Sequence, residues 1–138
     1  MAQSAPVTLG GPKIITSRAL TQADKSTTPV VAELPAKCWV PPFGVTVYVA
    51  EACSGGTPSI DVGDSDIDGW VDTSDVDETT TGCYTGDGGD AGFSVTGKYY
   101  SAATNLIATV GDGSLTNGTV YVFTTYYDLS NRDLTAST

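Results

Sequence analysis

Apolar and polar positions alternate most cleanly over Val45–Glu51, VTVYVAE. Val45, Val47 and Val49 point one way and Thr46, Tyr48 and Ala50 the other, the two-residue period of a strand. The closing run 119–129, TVYVFTTYYDL, carries Val120, Val122, Thr124 and Tyr126 on one face and Tyr121, Phe123, Thr125 and Tyr127 on the other. A strand that is apolar on both faces needs cover on both, from an opposing sheet or from another subunit. Shorter runs predict further strands at 13–20, at 29–34 where Pro35 stops the chain, and at 93–95, 98–101 and 105–110. The run 58–62, following the Ser54-Gly55-Gly56 loop, predicts a return strand in a hairpin-like pair with 45–51. Residues 35–44, PAKCWVPPFG, are expected to turn, since Pro41 and Pro42 cannot sit in a central ladder. Residues 79–92, rich in Gly and Thr without periodicity, are expected to form an exposed loop.

No stretch shows a helical stripe. Short strands with turn signals roughly every 8 to 12 residues predict an all-β fold, an antiparallel β-sandwich of jelly-roll or knob-like type. No longer repeat is visible, which counts against a propeller or solenoid. A chain of 138 residues supports one domain with a real core. The expected organisation is an extended N-terminal arm with the first strand at 1–28 and a β-sandwich domain at 29–138.

Charge changes this picture. The net charge is -10, but residues 1–40 carry Lys13, Arg18, Lys25 and Lys37 against Asp24 and Glu33. The acids of the remaining chain face only Lys98 and Arg132. A mildly basic arm on an acidic body suggests that the arm touches something acidic while the body faces solvent. Nucleic acid is not an expected partner, because phosphate binding needs clustered cations that the body lacks. A membrane is not expected either, since the longest apolar runs have strand length. The N-terminus MAQSAPVTLGG has neither the charged nor the apolar region of a signal peptide. Cys38, Cys53 and Cys83 are an odd count without CxxC, and the chain has no His. Buried or half-buried thiols are expected; a Cys53–Cys83 bridge is compatible with the count but does not follow from it.

The most crowded chemistry lies in 57–77, TPSIDVGDSDIDGWVDTSDVD. Asp64, Asp66, Asp68, Gly69, Trp70, Asp72 and Asp75 fit the D-x-D-x-D-G spacing of a calcium loop with carboxylates at positions nine and twelve. Asp64, Asp66, Asp68 and Asp75, with the Trp70 carbonyl, are the candidate calcium ligands. The twelfth position is Asp rather than Glu and neither flank is helical, so an EF-hand is not expected. The alternative is an Asp-rich turn whose side chains make Asx turns and keep an edge soluble. Without His, a Ser/His or Cys/His arrangement is excluded, and no phosphate loop or dinucleotide fingerprint is present. No catalytic residue is assigned and an enzyme is not expected. Trp39, Trp70, Tyr99, Tyr100, Tyr126 and Tyr127 could pack in a core or at a subunit contact, or form a platform that stacks carbohydrate. Trp39 and Trp70 are the two whose exposure would matter most.

The segments LPAKCWVPPFGVTVYVAEACSGGTPSIDVGDSDIDGWVD and GKYYSAATNLIATVGDGSLTNGTVYVFTTYYDLS resemble small decoration, or cement, proteins of tailed bacteriophage capsids. The likeness runs over about residues 13–130, through an LPA turn, the GGTPSIDVG and DGW segments, and the VYV and YYDLS closing strand. The resemblance implies a homotrimer on the outer capsid surface that clamps the major capsid protein. It also implies synthesis in the host cytoplasm and a virion location. A receptor- or carbohydrate-binding sandwich module is the alternative function.

Overall fold

Branched and aromatic residues at alternating positions build most of this chain into strands, because such side chains pack well on a pleated, half-buried surface. The structure, a computed structural model, describes residues 10–54, 56–111, 113 and 115–130. Among these described residues nine strands run in chain order: β1 (Lys13–Thr16), β2 (Val30–Leu34), β3 (Cys38–Val40), β4 (Val45–Glu51), β5 (Ile60–Gly63), β6 (Gly82–Tyr84), β7 (Lys98–Tyr100), β8 (Thr104–Val110) and β9 (Thr119–Asp128). A short α-helix, α1 (Gly92–Thr96), precedes β7, and 3-10 turns lie at Gln22–Asp24 and Thr73–Asp75.

Two antiparallel sheets face each other. The larger has six strands in the order β6-β4-β9-β3-β7, with β1 on the free side of β9; the smaller has the order β2-β8-β5. In β4 and β9 the expected alternation is met. Val45, Val47, Val49, Val120 and Val122 are fully buried between the sheets, while Tyr48, Tyr121 and Phe123 occupy the outer face and remain half-buried. Leu106, Ala108, Ile60 and Val62 close the core from the smaller sheet. Each fully buried branched or Leu side chain contributes about 1.5–3 kcal/mol.

Several sequence expectations change. β5 does not pair with β4. After Glu51 the chain crosses to the other sheet, and β5 joins β8 with Ile60 opposite Val110. The crossing is held by Cys53 N–H donating to the Glu78 carbonyl and Ser54 N–H to that of Thr116, both at 2.8 Å. The expected turn at 35–44 contains β3, which stops at Val40, the residue before the two prolines. The expected loop at 79–92 contains β6, with Cys83 opposite Tyr48. The expected strand at 93–95 is helical instead. Phe93 N–H bonds the Gly69 carbonyl at 2.9 Å, and Gly97, at φ +72, ends the turn in a conformation that favours glycine.

β1 pairs with β9 from Lys13 opposite Tyr126 to Thr16 opposite Phe123, and Leu20 beyond it is fully buried. Residues 1–9 of the expected arm lie outside the described residues. The open side of the sandwich, between β1 and β2, forms a groove of about 570 Å³ lined by Ile15, Arg18, Val30, Ala32, Glu33 and Tyr126 among others. Cys38 and Cys53 are buried, Cys83 is exposed, and all three are free thiols, so the Cys53–Cys83 bridge is not formed.

Candidate functional site

The acidic stretch leaves the end of β5 and is fixed at once by Asp64. That carboxylate is buried. It accepts hydrogen bonds from Asp66 N–H at 2.9 Å, Lys98 Nζ at 2.6 Å and Tyr100 Oη at 2.8 Å. Tyr100 in turn accepts from Trp70 Nε1 at 2.9 Å. Lys98 Nζ lies 4.0 Å from the centre of the Phe93 ring, and Phe93 packs at 58° against Trp70 with ring centroids 5.8 Å apart. The loop after β5, helix α1 and strand β7 are thereby tied together through one ammonium group and one buried carboxylate.

The glycines of the motif serve this packing. A side chain at Gly63 would run into the Asp66 carbonyl, and one at Gly69 would run into the Phe93 ring. Burial pushes the Asp64 carboxyl up, but Lys98, the Asp66 N–H and the Tyr100 hydroxyl outweigh it and hold it below the usual carboxylate range. Burial holds the Tyr100 phenol well above its usual range, with Asp64 adding to the shift and Trp70 opposing it.

Farther out, the acids organise the loop and one another. Asp72 caps the short 3-10 turn Thr73–Asp75 by accepting from Ser74 N–H at 2.7 Å, and Asp75 returns a bond to Asp72 N–H at 3.0 Å. Asp61 accepts from Thr73 N–H at 2.7 Å. Asp66 is held above the usual carboxylate range chiefly by its contact with Asp68. Asp75 is raised too, first by burial and then by the nearby Asp87 and Asp72 against the pull of the Asp72 N–H.

The five expected calcium ligands are therefore placed differently from one another. Asp64 turns inward to Lys98, Asp66 and Asp68 adjoin, and Asp75 sits with Asp72 and Asp87. The Trp70 ring is fully buried. Among the described residues the carboxylates of Asp68, Asp72 and Asp90 converge, their oxygens within 4.8 Å of one another. Asp90, Lys98 and Phe93 are not among the expected site residues, and Tyr100 is expected only as a packing or stacking aromatic. Lys98 had a signal, as one of only two cations after residue 40.

A comparison with solved structures finds this fold elsewhere. A chain in the acidic stable capsid structure of Helicobacter pylori bacteriophage KHP30 matches at a TM-score of 0.66 and 14% identity, over 88% of this chain and 91% of that chain. A chain in the capsid asymmetric unit of cyanophage Pam1 matches at 0.57 and 22% identity, over 93% and 92%. The fold is shared with chains of two phage capsids. At these identities the likeness is one of fold, and it runs nearly end to end in both comparisons. No protein-family model matches the chain, and no curated protein matches it.

Within the acidic end, the buried Asp64 is paired with Lys98, Glu78 is buried beside Thr73, and other acids cap turns or face solvent. Among the described residues no helix is long and apolar enough to cross a membrane.

Proposed function

We propose that the protein is a non-enzymatic, structural component of a phage virion, a decoration protein that binds the outer surface of the capsid as a homotrimer and stabilises the expanded lattice. The observation that carries this reading is the fold shared, over about nine-tenths of each chain, with chains of two phage capsids. The major capsid protein is the partner, and the residues before β1 form the docking arm. The acidic body, which repels nucleic acid and its own neighbours, suits an outward-facing surface. A subunit contact along the open β1/β2 side would bury Val30, which is 44% exposed in the single chain.

Binding only the expanded lattice would stabilise that state by RT ln(1 + [L]/Kd), about 2.7 kcal/mol per site at a hundredfold excess over Kd. Three arms acting together would add avidity without any new kind of contact. The test mixes purified protein with capsids that lack it and measures bound copies and thermal resistance. Saturable binding with a raised disruption temperature is expected, and absence of saturation would end the idea. Deleting residues 1–12 should weaken capsid binding and leave the trimer intact. A monomer after that deletion would refute the role given to the arm.

A further inference from the structure

The outer face of the six-stranded sheet has a chemistry unlike the rest of the molecule. Strand register places Tyr48 opposite Tyr121, Trp39 opposite Tyr127 and Tyr99 opposite Trp39, so these rings share one face with Phe123. Tyr48 lies 6.2 Å from Tyr121 at 23° and 5.9 Å from Phe123 at 20°. Trp39 and Tyr127 are 5.8 Å apart at 33°. Trp39 and Tyr99 are the most open, at 38% and 52% exposed. The positions between the rings are Thr46 and Thr125 on the same strands, with Ile14 and Thr16 on β1. On a chain of net charge -10, no side chain between the rings is charged; the Glu51 carboxylate lies beyond them at the end of β4, where it accepts from Thr119 Oγ1 at 2.8 Å.

From these observations we infer that this face binds neutral carbohydrate, stacking hexopyranose rings on the aromatic surface and hydrogen-bonding them through the phenol and threonine hydroxyls. The size of the aromatic patch suits a small ligand, since a stable protein partner would have to extend past the rings onto the flanks of the sheet. From Tyr121 to Tyr127 the strand runs about 20 Å, and three to four strands span about 14 Å, a footprint of roughly 300 Å². That is the scale of a functional patch on a monomer, and well below the roughly 800 Å² per partner of a stable protein interface. Charge decides the kind of glycan, since an acidic sugar chain would be repelled by the acidic body while a neutral one is not. The rings Trp39, Tyr48 and Tyr99 stand on β3, β4 and β7, none of which lines the β1/β2 groove, so their variants read sugar binding apart from capsid binding.

The experiment titrates the full-length protein with cellohexaose, xylohexaose, laminarihexaose and chitohexaose, with hexagalacturonate as the acidic control, by calorimetry and tryptophan fluorescence. Trp39 lies on the face and Trp70 in the core, so a Trp39→Phe variant assigns the optical signal. At least one neutral hexasaccharide is expected to saturate with a Kd of about 1 mM or tighter. Tyr48→Ala and, on the exposed edge strand, Tyr99→Ala should each weaken it about tenfold, the scale of one lost ring contact, at unchanged sedimentation mass. No saturation by any neutral glycan up to about 10 mM would overturn the inference. Equal binding of the acidic control would also overturn it, as would a change of mass in the sugar-free variants, which would mark the face as covered by a second copy.

Discussion

Replacing Lys98 by Met keeps the aliphatic stem against Phe93 and removes the ammonium group from a carboxylate that is nearly enclosed. The Asp64 side chain is 4% exposed and that of Lys98 32%. Breaking a buried pair by deleting one partner costs about 3–5 kcal/mol, because the remaining charge is stranded. Solvent reaches a third of the lysine and weakens the pair, and Tyr100 and the Asp66 N–H still hold the carboxylate. The expected cost is therefore about 2–3 kcal/mol at pH 7, or about 6–15 °C in Tm for a domain of this size.

The cost should also depend on pH. A carboxyl whose folded pKa lies below its unfolded value, as Asp64's does, stabilises the fold above the unfolded pKa of about 3.9. That contribution is lost as pH falls through the folded pKa. In Lys98→Met the burial that pushes Asp64 up is left less opposed, so protonation relieves the variant before it affects the wild type. The gap between the two melting curves should narrow below about pH 4. Scanning calorimetry between about pH 7 and pH 3, with Trp70 emission reporting the loop, measures both effects. A drop in Tm under about 2 °C at pH 7, or a gap constant down to pH 3, would refute the ion pair as the anchor of the loop.

Three further outcomes follow from other groups. Glu78 is buried and raised above the usual carboxylate range chiefly by that burial, and an acid raised in the fold costs stability above its pKa and returns it as pH falls through that value. Glu78 should therefore return stability to the wild type as pH falls through its raised pKa toward the ordinary carboxylate range, and Glu78→Gln should gain about 1 kcal/mol at pH 7 and little at pH 4; a variant less stable than wild type at pH 7 would contradict this. Thr124 Oγ1 is buried on the core face of β9 with no hydrogen-bond partner among the described residues. Thr124→Val should raise stability by about 1 kcal/mol in urea unfolding, and a loss would reveal an unseen partner. For the proposed calcium loop, Asp64 is already committed to Lys98, which leaves the outer acids and converging Asp68, Asp72 and Asp90 to hold a metal. Calcium at about 5 mM should raise Tm by only about 1–3 °C, as magnesium does through screening, whereas a calcium-specific gain above about 5 °C, reversed by chelator, would establish a high-affinity site.

The elements that could be read from the sequence are those whose alternation is local. β4 and β9 announce their faces within seven to ten residues, and the valines identified there are the centre of the core. Pairing was less legible. The sequence 54–62 looks like the return arm of a hairpin, but nothing in it records that the chain crosses to the other sheet, where Leu106 and Ala108 await Ile60 and Val62. The helix at Gly92–Thr96 was hidden for a related reason. Its residues have no helical stripe, and the turn forms because Phe93 is held against Gly69 and Trp70 from a distant part of the chain. The site followed the same rule: acid spacing suggested a ligand set, yet Asp64 is claimed by a lysine 34 residues further on.

That claim bears on why the acids are there at all. Asp61, Asp66 and Asp75 are each held above the usual carboxylate range, so the fold would gain if some of them were neutral. A chain selected only for stability would replace such residues, since exposed turns accept Asn or Ser in the same capping geometry. Here the turn is instead stiffened around its charge by Asp72 capping, by the glycines at 63 and 69, and by the Lys98 anchor beneath. Keeping like charges crowded on a rigid support is a local cost without a local return, which is the usual mark of a functional surface. An outward face that repels other particles and nucleic acid would supply that return. Neutralising Asp66, Asp68 and Asp87 to Asn should then stabilise the isolated protein while making it self-associate at low ionic strength. If light scattering shows the variant as dispersed as the wild type, the charge serves some other purpose.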